Sequence, residues 1–258
     1  GVNMEKGIIG GTGVYDAGDI ASMKMVDTIY GQVELDILNM DGEDIVFLAR
    51  HGRDHSVPPH LINYRANIMA LKEVGVKYIY STVAVGSCNK RYEPGDIVVI
   101  EDILDFTKSR PSTFFEGGDE PVRHVDMSQP YCKNLRDRFY DMAKREGLDI
   151  EGNGVYVCTE GPRFETAHEI RMFKKLGGDV VGMTNVPEVV LAKELGICYS
   201  AIGIVSNWCT GMVGEITLHD IQGAMEMNRE RITKVFIDVF KEGLGKDNCN
   251  CSNSIIEL

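Results

Sequence analysis

The side chains that could bind or transform a small molecule are concentrated between residues 156 and 207. Tyr156 opens this segment, a Gly-Pro turn leads to Glu165, Thr184 stands before a proline, and Asn207 follows a long apolar run. A carboxylate only accepts hydrogen bonds, whereas a hydroxyl and an amide can both donate and accept. These residue types on both sides of apolar segments predict one half of a ligand pocket.

Two earlier segments predict the other half of the same pocket. Residues 7–16 form an apolar run that ends in a Gly-rich turn with Thr12, where backbone N–H groups can approach an anion closely. Residues 43–55 read as a strand that ends in Arg50 and His51, followed by a further arginine and histidine. Ligands of open α/β sheets bind at such strand ends. The alternatives are an ordinary strand-to-turn junction and a solvated basic loop.

Composition narrows the class of partner. The chain has 258 residues, 43% of them apolar, and a formal net charge of −12. This charge argues against a nucleic-acid polymer or an anionic membrane surface as a partner. The sequence shows no long apolar run of transmembrane length and no signal peptide, so we expect a cytoplasmic protein.

Of the seven cysteines, five are scattered along the chain and two stand close together near its end. Cys88, Cys158, Cys198 and Cys209 lie in or beside apolar runs and are expected to be small core residues in a reducing compartment. Cys249 and Cys251 form a C-N-C motif in a polar segment without further metal ligands nearby in the sequence. We therefore expect no metal site and a frayed tail over residues 246–258, with a redox or small-ring disulfide role as the alternative.

The elements that must position the pocket follow from hydrophobic periodicity. Short apolar runs alternate with segments of helical spacing, and a long helix over about 217–243 ends the pattern. Such alternation predicts an α/β fold with a mostly parallel sheet covered on both faces. We find no linker and no internal repeat, so residues 4–245 are expected to form a single domain.

Several long motifs resemble one enzyme family. GIIGGTG, LARHGRDH, NYRANIMALKEVG, GPRFET and GMTNVPEVVLAKELGICY are similar to the trimeric purine nucleoside phosphorylases and methylthioadenosine phosphorylases over about residues 7–243. The resemblance implies a mixed, twisted, partly barrel-like sheet flanked by helices, and a homotrimer or a dimer of trimers. It also implies a purine-salvage reaction in which a nucleoside and inorganic phosphate give a free purine and ribose 1-phosphate, without a metal or another cofactor.

The resemblance assigns roles to individual positions. The implied phosphate site consists of Thr12, Arg50, His51, the backbone of Ala84, and Thr184. The implied nucleoside site consists of Tyr156 and Met183 for the ribose, Phe164, Glu165 and Asn207 for the base, and His124 from a neighbouring subunit. Asn207, Glu165 and His51 are the implied catalytic residues. Val83 departs from the methylthioadenosine phosphorylases, which carry a threonine hydroxyl there.

The base end predicts a preference for 6-oxopurines. A 6-oxopurine presents an N1–H donor and an O6 acceptor, and Glu165 and Asn207 can satisfy both, whereas a 6-aminopurine reverses the pattern. The adenine-specific branch of the family has serine and aspartate at these positions. Two mismatches at roughly 1–3 kcal/mol each could exclude adenine by orders of magnitude. Taken singly, Glu165 could instead stabilise a helix N-terminus and Asn207 could be a turn residue.

The 5′ end of the sugar leaves alternatives open. The resemblance puts Leu218 at the position that contacts the 5′ group, but His219 is one residue away, and one residue turns a helical side chain by about 100°. A leucine would favour 5′-methylthioinosine or 5′-methylthioadenosine, and a histidine would favour inosine and guanosine. A nucleotide-binding module without catalysis is the alternative from another class.

Overall fold

One mixed sheet of nine strands carries the candidate site in the computed structural model, which describes residues 4–11, 20–213, 218–246 and 248–258. In the described ranges the strands of the molecule are β1 (Lys6–Gly10), β2 (Ile20–Thr28), β3 (Gly31–Met40), β4 (Glu43–Ala49), β5 (Tyr78–Ser87), β6 (Ile97–Phe106), β7 (Arg123–Val125), β8 (Gly152–Thr159), β9 (Val180–Gly182), β10 (Cys198–Trp208) and β11 (Ile255–Glu257). The order in the large sheet is β10-β6-β8-β9-β5-β1-β4-β3-β2.

The sheet is partly closed. β10 pairs with β5 as well as with β6, so five strands, β10, β6, β8, β9 and β5, form a ring. This ring confirms the partly barrel-like α/β fold. The pairs β1–β4, β1–β5, β5–β10, β6–β8 and β8–β9 are parallel, while β2–β3, β3–β4, β5–β9 and β6–β10 are antiparallel. The sheet is therefore mixed, as the family resemblance predicted, rather than mostly parallel.

Helices flank the sheet because their apolar faces cover its buried strands. The five α-helices in the described ranges are α1 (Tyr64–Glu73), α2 (Lys133–Arg145), α3 (Ala167–Lys175), α4 (Asn185–Glu194) and α5 (Leu218–Glu242). α5 packs on β10 and α2, and α1 packs on α4. α4 is buried almost all round, including the carboxylate of Glu188, so this helix runs through the interior beside the candidate site. No helix in the described part of the chain is long and apolar enough to cross a bilayer.

The C-terminal segment differs from the expected frayed tail. Its residues form the strand β11, which was not predicted and which pairs antiparallel with β7. Cys251, just before this strand, is only 4% exposed. The backbone N–H of Asp126 donates to the carbonyl of Ser254, with an N···O distance of 2.7 Å. The polar composition of the segment gave no indication of this pairing, because the partner strand lies more than a hundred residues earlier in the chain.

Candidate active site

A cavity of about 340 Å³ opens where the carboxyl ends of several strands meet. Residues 82–86 of β5 and 204–207 of β10 form its floor, since these two strands run parallel with Ile204 beside Ala84. The loops that follow β4, β8 and β9 form the walls, and α5 contributes Met225 and Arg229. The volume is in the range typical of small-molecule sites, roughly 300–1,000 Å³.

The structure brings most of the predicted residues into this one cavity. Those that line it are Arg50, His51, Ala84, Phe164, Glu165, Met183, Thr184 and Asn207. Thr12 lies outside the described residues, although the adjacent Gly11 lines the cavity. The side chains of Leu218 and His219 also lie outside the description, so the structure does not distinguish between these two residues at the 5′ position.

Arg50 donates most of its hydrogen bonds to other protein groups rather than to the cavity. Its Nε and Nη2 donate to the two carboxylate oxygens of Glu188 at 2.7 and 2.8 Å, and both side chains are 2% exposed. Nη2 also donates to Ser81 Oγ, and Nη1 donates to the carbonyl of Thr82 at 3.0 Å. These bonds use four of the five N–H groups of a guanidinium. One Nη1 hydrogen is left for a ligand, so Arg50 acts through its charge and a single donor.

The Arg50 guanidinium stays protonated despite its burial. Desolvation alone would lower the pKa of this guanidinium, but the adjacent Glu188 carboxylate raises the pKa well above its ordinary value. Tyr199 donates its hydroxyl to the same carboxylate at 2.6 Å, which links β10 to this ion pair. The cavity therefore has a permanent positive charge in its wall, fixed by a buried network.

His51 is neutral at physiological pH. Burial lowers its pKa to about 4, and the nearby charges of Arg50 and His55 act in the same direction, whereas the Val57 carbonyl opposes them. Nδ1 lies 2.9 Å from that carbonyl oxygen, so Nδ1 carries the proton in the neutral ring. Nε2 is then an acceptor. His51 can accept a hydrogen bond from a protonated phosphate oxygen or a hydroxyl.

Thr184 and Tyr156 form a second supported unit. Thr184 is the N-cap residue of α4, and its hydroxyl makes no capping hydrogen bond, so it can turn to a ligand. Its backbone N–H donates to Tyr156 Oη at 3.1 Å. Tyr156 is 0% exposed and is not among the cavity-lining residues, in contrast to the expected ribose contact. Gly182 makes room for this tyrosine, because a Cβ there would lie 2.1 Å from Tyr156 Oη.

The Glu165 carboxylate is available to a ligand because other residues cap the adjacent helix. Thr166 accepts from the backbone of Glu169, and Glu169 accepts from the backbone of Thr166, which completes a capping box at α3. The alternative interpretation was that Glu165 stabilises this helix N-terminus. The capping box already does so, and Glu165 is not needed there. Its carboxylate is 9% exposed and accepts from Thr159 Oγ1 at 2.8 Å. Phe164 beside it is 62% exposed, a suitable cover for a planar ligand.

Asn207 lies at an irregularity in β10 that turns its side chain into the cavity. The register between β10 and β5 shifts between Val205 and Asn207. Its Oδ1 accepts from Ser206 Oγ at 2.7 Å, and its Nδ2 donates to the Trp208 carbonyl at 2.9 Å. Each amide atom has one further hydrogen-bonding position. Both a donor and an acceptor thus remain for a ligand, with the amide orientation fixed by its neighbours.

Several functional residues escaped sequence reasoning. Glu188 orients Arg50, Ser206 orients Asn207, and Thr210 and Arg229 line the cavity. Glu188 had a signal, since it is a carboxylate that directly precedes the apolar run Val189–Ala192 of α4. His124 does not line this cavity, and it lies on the exposed edge formed by β7.

Comparisons with known proteins show the family to which the chain belongs. The model of the Phosphorylase superfamily matches residues 5–241. The 6-oxopurine nucleoside phosphorylase of Pyrococcus furiosus is 45% identical over 255 residues, which cover 96% of each chain. A probable S-methyl-5′-thioinosine phosphorylase of Methanothermobacter thermautotrophicus is 43% identical, over 96% of this chain and 88% of the relative. The crystal structure of a methylthioadenosine phosphorylase from an antarctic soil metagenomic library superposes with a TM-score of 0.89 at 31% identity, covering 99% of this chain and 93% of that one.

Proposed function

Because the chain belongs to the phosphorylase superfamily, we propose that it is a 6-oxopurine nucleoside phosphorylase. The reaction transfers the ribosyl group of inosine or guanosine from the purine to inorganic phosphate. The observation that carries the proposal is the presence of Glu165 and Asn207 in the same cavity as Arg50, His51 and Thr184. A base-reading pair and an anion-binding group are both needed for this reaction.

Glu165 and Asn207 together match a 6-oxopurine. A carboxylate accepts the N1–H of hypoxanthine or guanine but repels the N1 lone pair of adenine. The remaining Nδ2 hydrogen of Asn207 can donate to O6, and its Oδ1 can accept from N7–H. Thr159 and Ser206 hold these two side chains in place, which limits the entropy lost when the base binds.

The phosphate end combines one fixed charge with neutral groups. Arg50 provides the charge and one Nη1 donor, the Thr184 hydroxyl provides another donor, and neutral His51 accepts the hydrogen of a protonated phosphate oxygen. A site of this kind binds the monoanion or dianion and directs an unprotonated oxygen to the sugar. This arrangement supports inorganic phosphate as the co-substrate.

The chemistry is a displacement at C1′ with strong positive character on the ribose. The bond from C1′ to N9 breaks, its electron pair passes to the purine, and a phosphate oxygen forms the new bond to C1′. The purine anion then takes up one proton at N7, which in the overall balance is the proton that hydrogen phosphate loses, and the resulting N7–H can donate to Asn207 Oδ1. Positioning of phosphate below the sugar and stabilisation of the leaving purine supply the rate enhancement.

The assembly that we propose is a homotrimer that acts in purine salvage. His124 is exposed on β7 and lies outside its own cavity, which fits a residue that completes the ribose site of a neighbouring subunit. Small-molecule nucleosides, rather than polymers, are then the substrates.

The test is phosphate-dependent release of base from inosine, guanosine, adenosine, 5′-methylthioinosine and 5′-methylthioadenosine at equal concentration. We expect release from the 6-oxopurine nucleosides and little from adenosine. Fast turnover of 5′-methylthioadenosine would contradict the base assignment. Nucleoside binding without any phosphorolysis would identify a binding module instead.

A second candidate substrate is 5′-methylthioinosine. It keeps the same base and therefore the same contacts with Glu165 and Asn207, and the apolar Met225 and Val83 line the cavity. The relative from Methanothermobacter thermautotrophicus carries the name of this activity. A higher kcat/KM for 5′-methylthioinosine than for inosine in the same assay would select it.

A further inference from the structure

Four cysteines from three separate parts of the chain meet at a point away from the nucleoside cavity. Cys132 is the N-cap residue of α2, Cys198 begins β10, and Cys249 and Cys251 belong to the C-terminal segment. Their four Sγ atoms all lie within 4.8 Å of one another. Cys132, Cys198 and Cys251 are buried, and Cys249 is partly exposed. The C-N-C motif thus has the two additional ligands that the sequence did not place near it.

We propose that these four cysteines bind one zinc ion in a tetrahedral tetrathiolate site. Zinc–sulfur distances are about 2.3 Å, which places the four sulfurs of a tetrahedral site about 3.8 Å apart. Cys198 Sγ and Cys249 Sγ are 3.5 Å apart, near this length. Four protein ligands fill the coordination sphere, so the site is structural and takes no part in phosphorolysis.

The arrangement differs from that of ordinary core cysteines in the same protein. Cys88 is equally buried, but its thiol donates to the carbonyl of Gly178 at 3.3 Å and belongs to another apolar cluster. In the four-cysteine cluster each sulfur has sulfur neighbours instead. Two adjacent disulfides, with S–S bonds of about 2.0 Å, are the competing arrangement of the same four sulfurs, and counting free thiols distinguishes it from a zinc site.

The surroundings suit a soft metal ion. Cys132, Cys198 and Cys251 belong to an apolar cluster that includes Leu135 and Phe139 of α2. Thiolate ligands and a dry, apolar shell favour zinc over hard cations such as magnesium and calcium. The Zn²⁺ ion offsets half of the negative charge of four thiolates, which leaves a net charge of −2 on the site.

The site would fasten the C-terminal segment to the domain. Cys251 begins a 3₁₀ turn, Cys251–Asn253, that leads directly into β11, and β11 pairs with β7. Ile256 lies opposite His124 in that pairing. Zinc would therefore hold β11 against the strand that carries His124. The zinc site itself does not depend on the proposed enzymatic function.

The test is the metal content of the full-length protein, purified under reducing conditions without chelators and measured by inductively coupled plasma mass spectrometry. We expect about one zinc per chain, and seven reactive thiols after denaturation with a chelator. C132S and C251S should each lose most of the zinc. C88S, which replaces an equally buried cysteine outside the cluster, should keep it.

Cobalt substitution keeps the test decisive if the cluster variants do not fold. Wild-type protein from which zinc has been removed should bind one Co²⁺ and show the intense visible bands and thiolate charge transfer of tetrahedral cobalt–sulfur coordination. Protein without stoichiometric zinc would overturn the proposal, whether its thiols are all free or reduced in number by disulfides. Iron in place of zinc would overturn it as well.

Discussion

At the scale of single residues, the site depends on side chains whose orientation is fixed by a neighbour outside the cavity wall. Thr159 orients Glu165, Ser206 orients Asn207, and Val57 sets the tautomer of His51. Each of these contacts leaves at least one hydrogen-bonding position free for a ligand. The specificity of the site is therefore a matter of which donors and acceptors remain, and it can be tested by exchanging one atom at a time.

Asn207→Asp replaces the amide donor by an acceptor at the base. We expect inosine kcat/KM to fall by roughly 5- to 150-fold, since one buried polar contact is worth about 1–3 kcal/mol. Adenosine turnover relative to inosine should rise, because the new carboxylate accepts from the 6-amino group. Steady-state assays on both nucleosides measure the ratio.

Asn153→Asp is the matched control for this exchange. Asn153 is exposed at the start of β8, and its Oδ1 accepts from the Tyr140 hydroxyl, as an aspartate can. The control should leave the ratio of adenosine to inosine turnover unchanged. An unchanged ratio in Asn207→Asp as well would remove Asn207 from the base site.

His51 should make stability depend on pH in weakly acidic solution. Its pKa falls from 6.5 to about 4 on folding, chiefly through burial. Below about pH 6.5, His51 binds a proton in the unfolded chain but stays neutral in the native state. The free energy of unfolding therefore decreases as the pH drops towards 4. The loss is up to roughly 1.4 kcal/mol per pH unit, and less where solvent reaches the ring.

Urea unfolding at pH 7 and pH 5 measures this effect. His51→Asn keeps a donor for the Val57 carbonyl but does not titrate, so its stability should fall less than that of the wild type between the two pH values. His168→Asn alters an exposed histidine of α3 and should behave as the wild type does. Equal losses in wild type and His51→Asn would contradict the assignment of a neutral, buried His51.

At the scale of elements, one buried ion pair joins four parts of the fold. Arg50 follows β4, Glu188 is in α4, and the same carboxylate accepts from Ser81 of β5 and Tyr199 of β10. Buried pairs of this kind are costly to break, because the partner that remains keeps an uncompensated charge. The pair therefore fixes α4, and with it Thr184, relative to the strands.

Arg50→Ala should impair both stability and phosphate use. We expect a loss of about 3–5 kcal/mol in the free energy of unfolding, because Glu188 remains buried without its partner. The KM for phosphate should rise far more than the KM for the nucleoside. Urea unfolding and phosphate saturation curves measure the two effects.

The double variant Arg50→Met with Glu188→Gln separates these two effects. It removes both charges and keeps an acceptor for Ser81 and Tyr199, so part of the stability should return. The phosphate KM should stay high because the positive charge is still missing. Recovery of phosphate affinity along with stability would show that Arg50 acts only by holding the fold together.

At the scale of the whole molecule, the ring of strands β10, β6, β8, β9 and β5 brings distant segments to a single cavity. The C-terminal segment adds a second connection by pairing with β7 and placing Cys249 and Cys251 beside Cys132 and Cys198. His124 is left exposed on the small sheet, outside its own cavity. In the proposed assembly, a complete site then requires a second chain.

Mixing two inactive variants tests whether subunits share sites. Asn207→Ala disables the base site of its own chain, and His124→Ala disables the pocket of the neighbour. Co-expressed chains should form mixed oligomers in which some pockets take Asn207 from one chain and His124 from another, so activity should return. Sedimentation equilibrium should give a mass of three chains of 28.6 kDa each.

A mixture of the two variants purified separately and assayed without subunit exchange is the control, and it should stay inactive. Absence of activity in the co-expressed hybrids, with intact oligomers, would confine His124 to a structural role.

The local chemistry was accessible from the sequence. The strand ends at Arg50, Ala84 and Asn207, and the GPRFET and GMTN motifs, predicted the cavity and eight of the residues that line it. The prediction succeeded because the carboxyl ends of the strands in an α/β sheet lie at one edge. Residues at those ends come close together even when the register of strand pairing is not known. The family and the partly closed sheet followed from the length and specificity of the same motifs.

Only the tertiary structure decided how those side chains are used. Arg50 donates two of its five N–H groups to a carboxylate 138 residues away, Tyr156 lies behind Thr184 rather than in the cavity lining, and the histidine proton is set by a backbone carbonyl. The four cysteines meet only because α2, β10 and the C-terminal segment pack together. Such contacts depend on long-range packing and on burial, which shift hydrogen-bond partners and pKa values without any trace in the local sequence.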